Sequence, residues 1–406
     1  MGAYLSQPIT DKDVFQGAGA GACYAGCAMQ GWRKRMEDAH VATSSESAPD
    51  VSVFGVFDGH GGCEVARFCQ RHFAATLEGT EGFPDDLESA LAGAFHRMDD
   101  MLRDCAHHGE LASLRNSGQP GADAADRDVG GDCATGAGEA TAGWEGEGGR
   151  RGRGHRVTQS APSDAAFWQL NVVRKLMPSR AVADENAMMQ DAAGCRARAV
   201  EDCREQGYEG GTGAGAAAVV AVKRGSDLFV ANAGDSRGVL CRGSAAVAMT
   251  QDHKPSLKDE RERIEAAGGY VSAMGTREAV NGNLGVSRAI GDLRYKSNGR
   301  LSAKEQIITA EPEVRRLALT DDDRFFVLAC DGVWEVMSSQ EVVDFVGRRL
   351  DEGGALDEIC GEIVDSCLAG DPKATKGVGC VGAIPLNSFQ HKQLNCKGRR
   401  TKRMGK

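Results

Sequence analysis

Three short acidic motifs stand where apolar runs stop. Residues 51–57 end in Asp58-Gly59-His60-Gly61-Gly62, residues 324–330 end in Asp331-Gly332-Val333-Trp334-Glu335, and residues 228–233 end in Gly234-Asp235-Ser236-Arg237. A carboxylate next to glycine at a strand end is held by the sheet, while the neighbouring backbone can approach a ligand closely. Carboxylates converging from several strand ends make an oxygen-rich site suited to Mg²⁺ or Mn²⁺. The chemistry this pattern supports is metal-dependent hydrolysis. A fourth motif, residues 31–40, carries Arg33, Glu37 and Asp38. In an extended chain Arg33, Arg35 and Glu37 share one face, and Lys34, Met36 and Asp38 the other. An arginine beside carboxylates can clamp a phosphate through its planar fork, or it can be half of a surface charge pair. The motif by itself leaves both open.

The elements that must hold these residues follow from the pattern of apolar positions. Residues 216–222 and 228–233 predict a strand pair turning at 223–226, and 239–241 with 246–249 predict another. Residues 65–77 and 87–102 have helical spacing, with Leu91, Phe95, Met98 and Leu102 on one face of the second. Further helices are expected over 258–267, after the capping pattern Ser338-Ser339-Gln340-Glu341, and over 356–368. Hairpins interspersed with antiparallel helices predict an α+β fold, a central antiparallel β-sandwich flanked by helices. Between 115 and 165 the chain is rich in Gly, Ala, Asp, Glu and Arg with hardly any apolar period, so disorder is expected there.

The chain has 406 residues, 41% of them hydrophobic, enough for a large domain. Its formal net charge of −10 argues against a general nucleic-acid binder. The 14 cysteines are irregularly spaced and are expected to be reduced thiols in a cytoplasmic protein. No apolar run reaches the roughly 20 residues of a membrane span. Met1-Gly2-Ala3-Tyr4-Leu5-Ser6 fits the myristoylation pattern at Gly2. One acyl chain gives only weak, reversible attachment to the cytosolic face of a membrane. A basic tail over 391–406, with seven Lys or Arg, could supply a second contact or be simply solvated.

Taken together, the sequence closely resembles the metal-dependent protein serine/threonine phosphatases of type 2C. The resemblance rests on Arg33-x-x-x-Glu37-Asp38-Ala39-His40, Phe57-Asp58-Gly59-His60-Gly61-Gly62 and Asn232-Ala233-Gly234-Asp235-Ser236-Arg237. It continues in Gln251-Asp252-His253-Lys254-Pro255, Val286-Ser287-Arg288-Ala289-Ile290-Gly291-Asp292 and Ala329-Cys330-Asp331-Gly332-Val333-Trp334. It implies a phosphatase domain over 20–380, interrupted by an insert at 107–210, with residues 1–19 as an N-terminal segment and 381–406 as a divergent basic tail. It also implies a monomer acting on phosphoprotein substrates with two Mg²⁺ or Mn²⁺ ions, and a third more weakly held. Asp58 would bridge the two ions, Gly59 would offer its carbonyl and Asp331 would bind one ion directly. Glu37 and Asp38 would hold metal-bound waters, and Asp235 would lie near the third ion. Arg33 would bind the substrate phosphate and His60 would protonate the leaving oxygen. The stretch 281–292 would lie in or beside a flap flanking the cleft, while the residues alone leave Arg288 and Asp292 undecided between flap and ion pair.

The sequence departs from the family pattern at two places, with a milder change at Glu335, where many members have Asp. The family follows its last helix with Asp-Asn-Met and a closing strand, whose Asp is a direct metal ligand. Here Cys380 is followed by Val381-Gly382-Ala383-Ile384-Pro385, without that carboxylate. The chain is therefore expected to lack the closing C-terminal strand, to leave a sheet edge uncovered and to bind metal less tightly. The alternative reading is a phosphatase-like binding protein with weakened catalysis. The second departure is Gly215-Ala216-Ala217-Ala218, which lacks the family's hydroxyl.

Overall fold

The computed structural model describes residues 4–19, 22–117, 213–275, 277–368 and 379–386. In chain order the first elements are β1 (Tyr4–Gly19), β2 (Ala22–Arg33), β3 (Ala39–Ser44), β4 (Val51–His60), α1 (Glu64–Glu78), α2 (Leu87–Arg103) and α3 (His108–Ser117). Then come β5 (Gly215–Arg224), β6 (Asp227–Ala233), β7 (Arg237–Arg242), β8 (Ala245–Ala248), α4 (Lys258–Ala266), β9 (Val271–Met274), β10 (Arg277–Val280) and β11 (Ile290–Gly291). The last are β12 (Glu313–Ala318), β13 (Asp323–Ala329), α5 (Asp331–Trp334), α6 (Ser339–Asp351), α7 (Leu356–Cys367) and β14 (Cys380–Pro385).

Two antiparallel sheets carry the fold, one ordered β1-β2-β14-β13-β7-β8 and the other β12-β6-β5-β4-β3, with β11 added to β5. Strand periodicity decides what each face meets. On β13, Phe326 and Leu328 point between the sheets, where they join Phe54 and Val56 of β4. Phe325, Val327 and Ala329 point the other way and pack on α6 and α7 through Val342, Val346, Ile359 and Ile363. Similarly Val51, Val53 and Phe57 of β4 face outward onto α1 and α2, meeting Phe73, Leu91 and Phe95. Both sheets are therefore covered on both faces, which explains why their strands read as continuous apolar runs. Each fully buried Phe contributes on the order of 2–3 kcal/mol of hydrophobic stabilisation. The expected helices form, and α6 starts with the capping box of Ser338 and Glu341. Among the described residues no helix is long and apolar enough to cross a membrane.

Both ends of the described chain form strands. Residues 4–19, within the expected N-terminal segment, form strand β1, paired antiparallel with β2 from Gly19↔Ala22 to Tyr4↔Arg33. Its mixed polar composition reflects an edge strand, with Tyr4, Ile9 and Val14 exposed. The expected uncovered edge after Cys380 is filled: β14 lies between β2 and β13 and pairs with both. Val381, Ala383 and Ile384 are small or apolar enough to be almost wholly buried there. Of the insert, residues 108–117 form α3 on α1. Gly2, the expected disorder at 115–165 beyond Ser117, and the basic stretch 391–406 lie outside the described residues.

Candidate metal centre

The acidic motifs meet at one end of the sandwich. Asp58 sits near the end of β4, Asp331 opens α5 directly after β13, and Asp235 follows Gly234 in the β6–β7 turn. One carboxylate oxygen from each of these three lies within 4.8 Å of the others. Strands of two different sheets thus deliver the cluster. Arg33, the last residue of β2, lines the same cavity as Glu37, Asp38, Asp58 and Asp331. Glu37 and Asp38 lie in the link from β2 to β3. Gly59 follows Asp58 in β4, and a Cβ there would stand 2.2 Å from the Glu37 carbonyl oxygen, so glycine lets the two segments touch.

The electrostatics describe a site short of positive charge. Burial raises the pKa of Asp58, and the neighbouring Asp38, Asp331 and Asp235 raise it further. Burial lifts Asp38 to about 6 against the pull of Arg33. Burial and then Asp331 raise Asp235, while burial and then Glu335 raise Asp331. Burial works to lower Arg33, but Asp58, Asp38 and Asp331 outweigh it and hold the guanidinium above its ordinary range. Asp38 Oδ2 is buried without a hydrogen-bond partner among the described residues. Clustered hard oxygens, mutual repulsion and an unsatisfied carboxylate oxygen all fit divalent cations such as Mg²⁺ or Mn²⁺.

His60 ends β4 and stands outside the residues lining that cavity. Its Nε2 is 2.6 Å from Asp292 Oδ2. Burial disfavours the charged ring, but the Asp292 carboxylate outweighs it and raises the pKa. The sequence motifs named Asp292 without assigning its partner, and 232 residues separate the two in the chain. Arg288, left open with it, instead bonds Glu260 at 2.6 and 2.9 Å. Lys254 was also without a role and donates to Asp235. The motif around it was legible, but not where its long side chain would reach. His253 is buried, and its Nδ1 accepts from the Gly234 amide at 3.3 Å.

A second groove shares Asp331 and is lined by Arg237, Lys254, Arg277, Trp334 and Glu335. Arg277 reaches it from the β9–β10 hairpin, which precedes the expected flap stretch, and bonds Glu335. Gly379 forms one wall of the Arg33 cavity, and residues 379–386 carry no carboxylate. Asp365, near the end of α7, does not supply the carboxylate of the family pattern, because it is exposed and pairs with Lys12 at 2.5 Å.

Comparison with known proteins places this geometry. The family model described as "Protein phosphatase 2C" matches residues 22–124 and 155–374. The chain is 37% identical over 381 residues to the probable protein phosphatase 2C 58 of Oryza sativa subsp. japonica, covering 94% of this chain and 87% of that one. It is 35% identical over 382 residues to the probable protein phosphatase 2C 60 of Arabidopsis thaliana, covering 94% and 89%. A solved phosphatase from a pathogenic strain of Toxoplasma gondii shares the fold, with a TM-score of 0.56 at 19% identity over 92% of this chain and 95% of that one.

Proposed function

The chain belongs to the protein phosphatase 2C family, and we propose that it hydrolyses phosphoserine and phosphothreonine in proteins with the help of bound Mg²⁺ or Mn²⁺. The observation that carries this reading is the convergence of Asp58, Asp235 and Asp331 oxygens within 4.8 Å of one another, beside a cavity lined by Arg33. Asp58, Asp331 and the Gly59 carbonyl would hold two ions, Glu37 and Asp38 their water shell, and Asp235 a weaker third ion. The chemistry such ions supply is neutralisation of the phosphate and a nucleophilic water near neutral pH. Arg33 binds the substrate phosphate through its fork, with its charge secured by the surrounding carboxylates. A water oxygen attacks phosphorus, and the bond from phosphorus to the side-chain oxygen breaks with its electron pair on that oxygen. His60 gives the leaving oxygen a proton, so that a free hydroxyl and inorganic phosphate are released. The proton lost by the water passes to solvent, from which the ring is recharged.

A second reading is supported by the cavity wall at Gly379 and by the absence of a carboxylate from residues 379–386. In it the same site binds phosphoproteins with little turnover. Purified protein assayed on a phosphoserine peptide with and without Mn²⁺ separates the two. Metal-dependent phosphate release that is lost in Asp58→Asn supports the enzyme; peptide binding by folded protein without release supports the binder. On the sequence pattern alone, Gly2 is proposed as an acylation site, and the intact mass of protein coexpressed with an N-myristoyltransferase tests it.

A further inference from the structure

We propose that Asp292 is the positioning residue for His60, fixing the imidazole through Nε2 and leaving Nδ1 as the nitrogen that passes a proton. The inference rests on the phosphatase reading for its chemistry, but its geometry stands apart from it. Asp292 Oδ2 lies 2.6 Å from His60 Nε2, a short contact for an imidazole and a carboxylate. The Asp292 side chain is wholly buried, whereas that of His60 keeps 27% of its surface exposed. A fixed carboxylate partner on a ring that keeps some exposed surface is an arrangement a proton donor can use.

Three further observations separate this contact from an ordinary core ion pair. First, Asp292 Oδ1 is buried with no hydrogen-bond partner among the described residues. A purely structural buried carboxylate gains from satisfying both oxygens, and leaving one unmet costs about 1–3 kcal/mol. Second, Asp292 has φ 50° and ψ 39°, a left-handed backbone that few residues other than glycine adopt. Its amide donates to the Ala214 carbonyl at 2.8 Å, which locks that turn. Third, a Cβ on Gly215 would stand 2.3 Å from Asp292 Oδ2 and 2.6 Å from His60 Nε2. The two side chains therefore meet over a strand position where a Cβ would push them apart.

The supporting shell is equally specific. Asp99 on α2 accepts the Gly291 amide at 2.8 Å and the Lys296 ammonium at 2.5 Å. Lys296 also donates to the Ala289 carbonyl at 2.7 Å. These bonds clamp the backbone on both sides of Asp292, so its carboxylate has little freedom to leave the ring.

The test compares wild type with Asp292→Ala and Asp292→Asn, as full chains, by two readouts. In proton NMR of histidine-labelled protein, wild type should show an exchange-protected, strongly downfield imidazole N–H. It should vanish in Asp292→Ala and in His60→Asn, and persist, less shifted, in Asp292→Asn, whose amide oxygen still accepts. In kinetics, Asp292→Ala should slow a phosphoserine peptide by about 100-fold, the low end of a general acid's contribution. p-Nitrophenyl phosphate, whose leaving group needs no proton, should slow far less, and Asp292→Asn should recover part of the peptide rate. A folded wild type without the downfield proton overturns the proposal, as does an equal loss on both substrates. If wild type has no turnover at all, the phosphatase reading fails while the NMR readout still decides the His60–Asp292 pairing.

Discussion

Lys254 donates its ammonium to Oδ2 of Asp235, which puts a fixed cation at the edge of the carboxylate cluster. Burial works against the charge of Lys254, but Asp235 outweighs it and raises its pKa. A divalent ion held by Asp235 would therefore compete with the lysine for that carboxylate. Lys254→Met should bind Mn²⁺ about tenfold more tightly at the weaker position, the equivalent of about 1.4 kcal/mol. Calorimetric titration of metal-free protein measures this, and weaker Mn²⁺ binding in the variant would rule out competition.

Cation binding should also stabilise the fold, because it relieves repulsion among buried carboxylates. With Mn²⁺ at 100 times its dissociation constant the gain is about 2.7 kcal/mol. Thermal unfolding should shift upward in wild type and much less in Asp58→Asn or Asp331→Asn. An equal shift in all three would place the bound ion elsewhere.

Glu260 predicts a dependence on acid. It bonds Arg288 through Oε1, and Arg263 and Ser287 through Oε2. Burial opposes its ionisation, but the Arg288 and Arg263 contacts win and depress its pKa from 4.5 to about 2. A depressed carboxylate adds stability that is complete above the unfolded value and is lost as pH falls through the folded one. The loss should therefore run from about pH 4.5 down to about 2 and reach on the order of 3 kcal/mol. Urea unfolding at pH 5 and pH 2.5 should show this drop in wild type and a flatter response in Glu260→Gln.

The buried pair Asp99–Lys296 gives a fourth expectation. Lys296 is only 7% exposed, so Asp99→Ala would strand its charge. Breaking such a pair costs about 3–5 kcal/mol, whereas Asp99→Leu with Lys296→Met should recover most of it. Chemical denaturation of the single and double variants checks the difference.

The sequence made the carboxylate cluster legible because each acidic group closes an apolar run, a pattern local in the chain. The layers of the sandwich were legible for the same reason, through the strand and helix periods around Phe57, Leu91 and Phe326. What lay beyond reach was set by distance along the chain. His60 and Asp292 meet only once β5 and β11 pair, at Gly291↔Gly215. Strand β1 was hidden by its polar residues, which an edge position tolerates. Strand β14 was hidden because Val-Gly-Ala-Ile-Pro is short, small and offers no alternation.

The position of β14 sets an order of assembly. Ala28 of β2 pairs with Cys380, and among the described residues that strand joins the β1–β2 ribbon to β13 in its sheet. On the ribosome, residues near the start of the chain must wait through some 350 further residues before their neighbour exists. The β2 edge that β14 covers is therefore completed only when the chain has been made as far as Cys380.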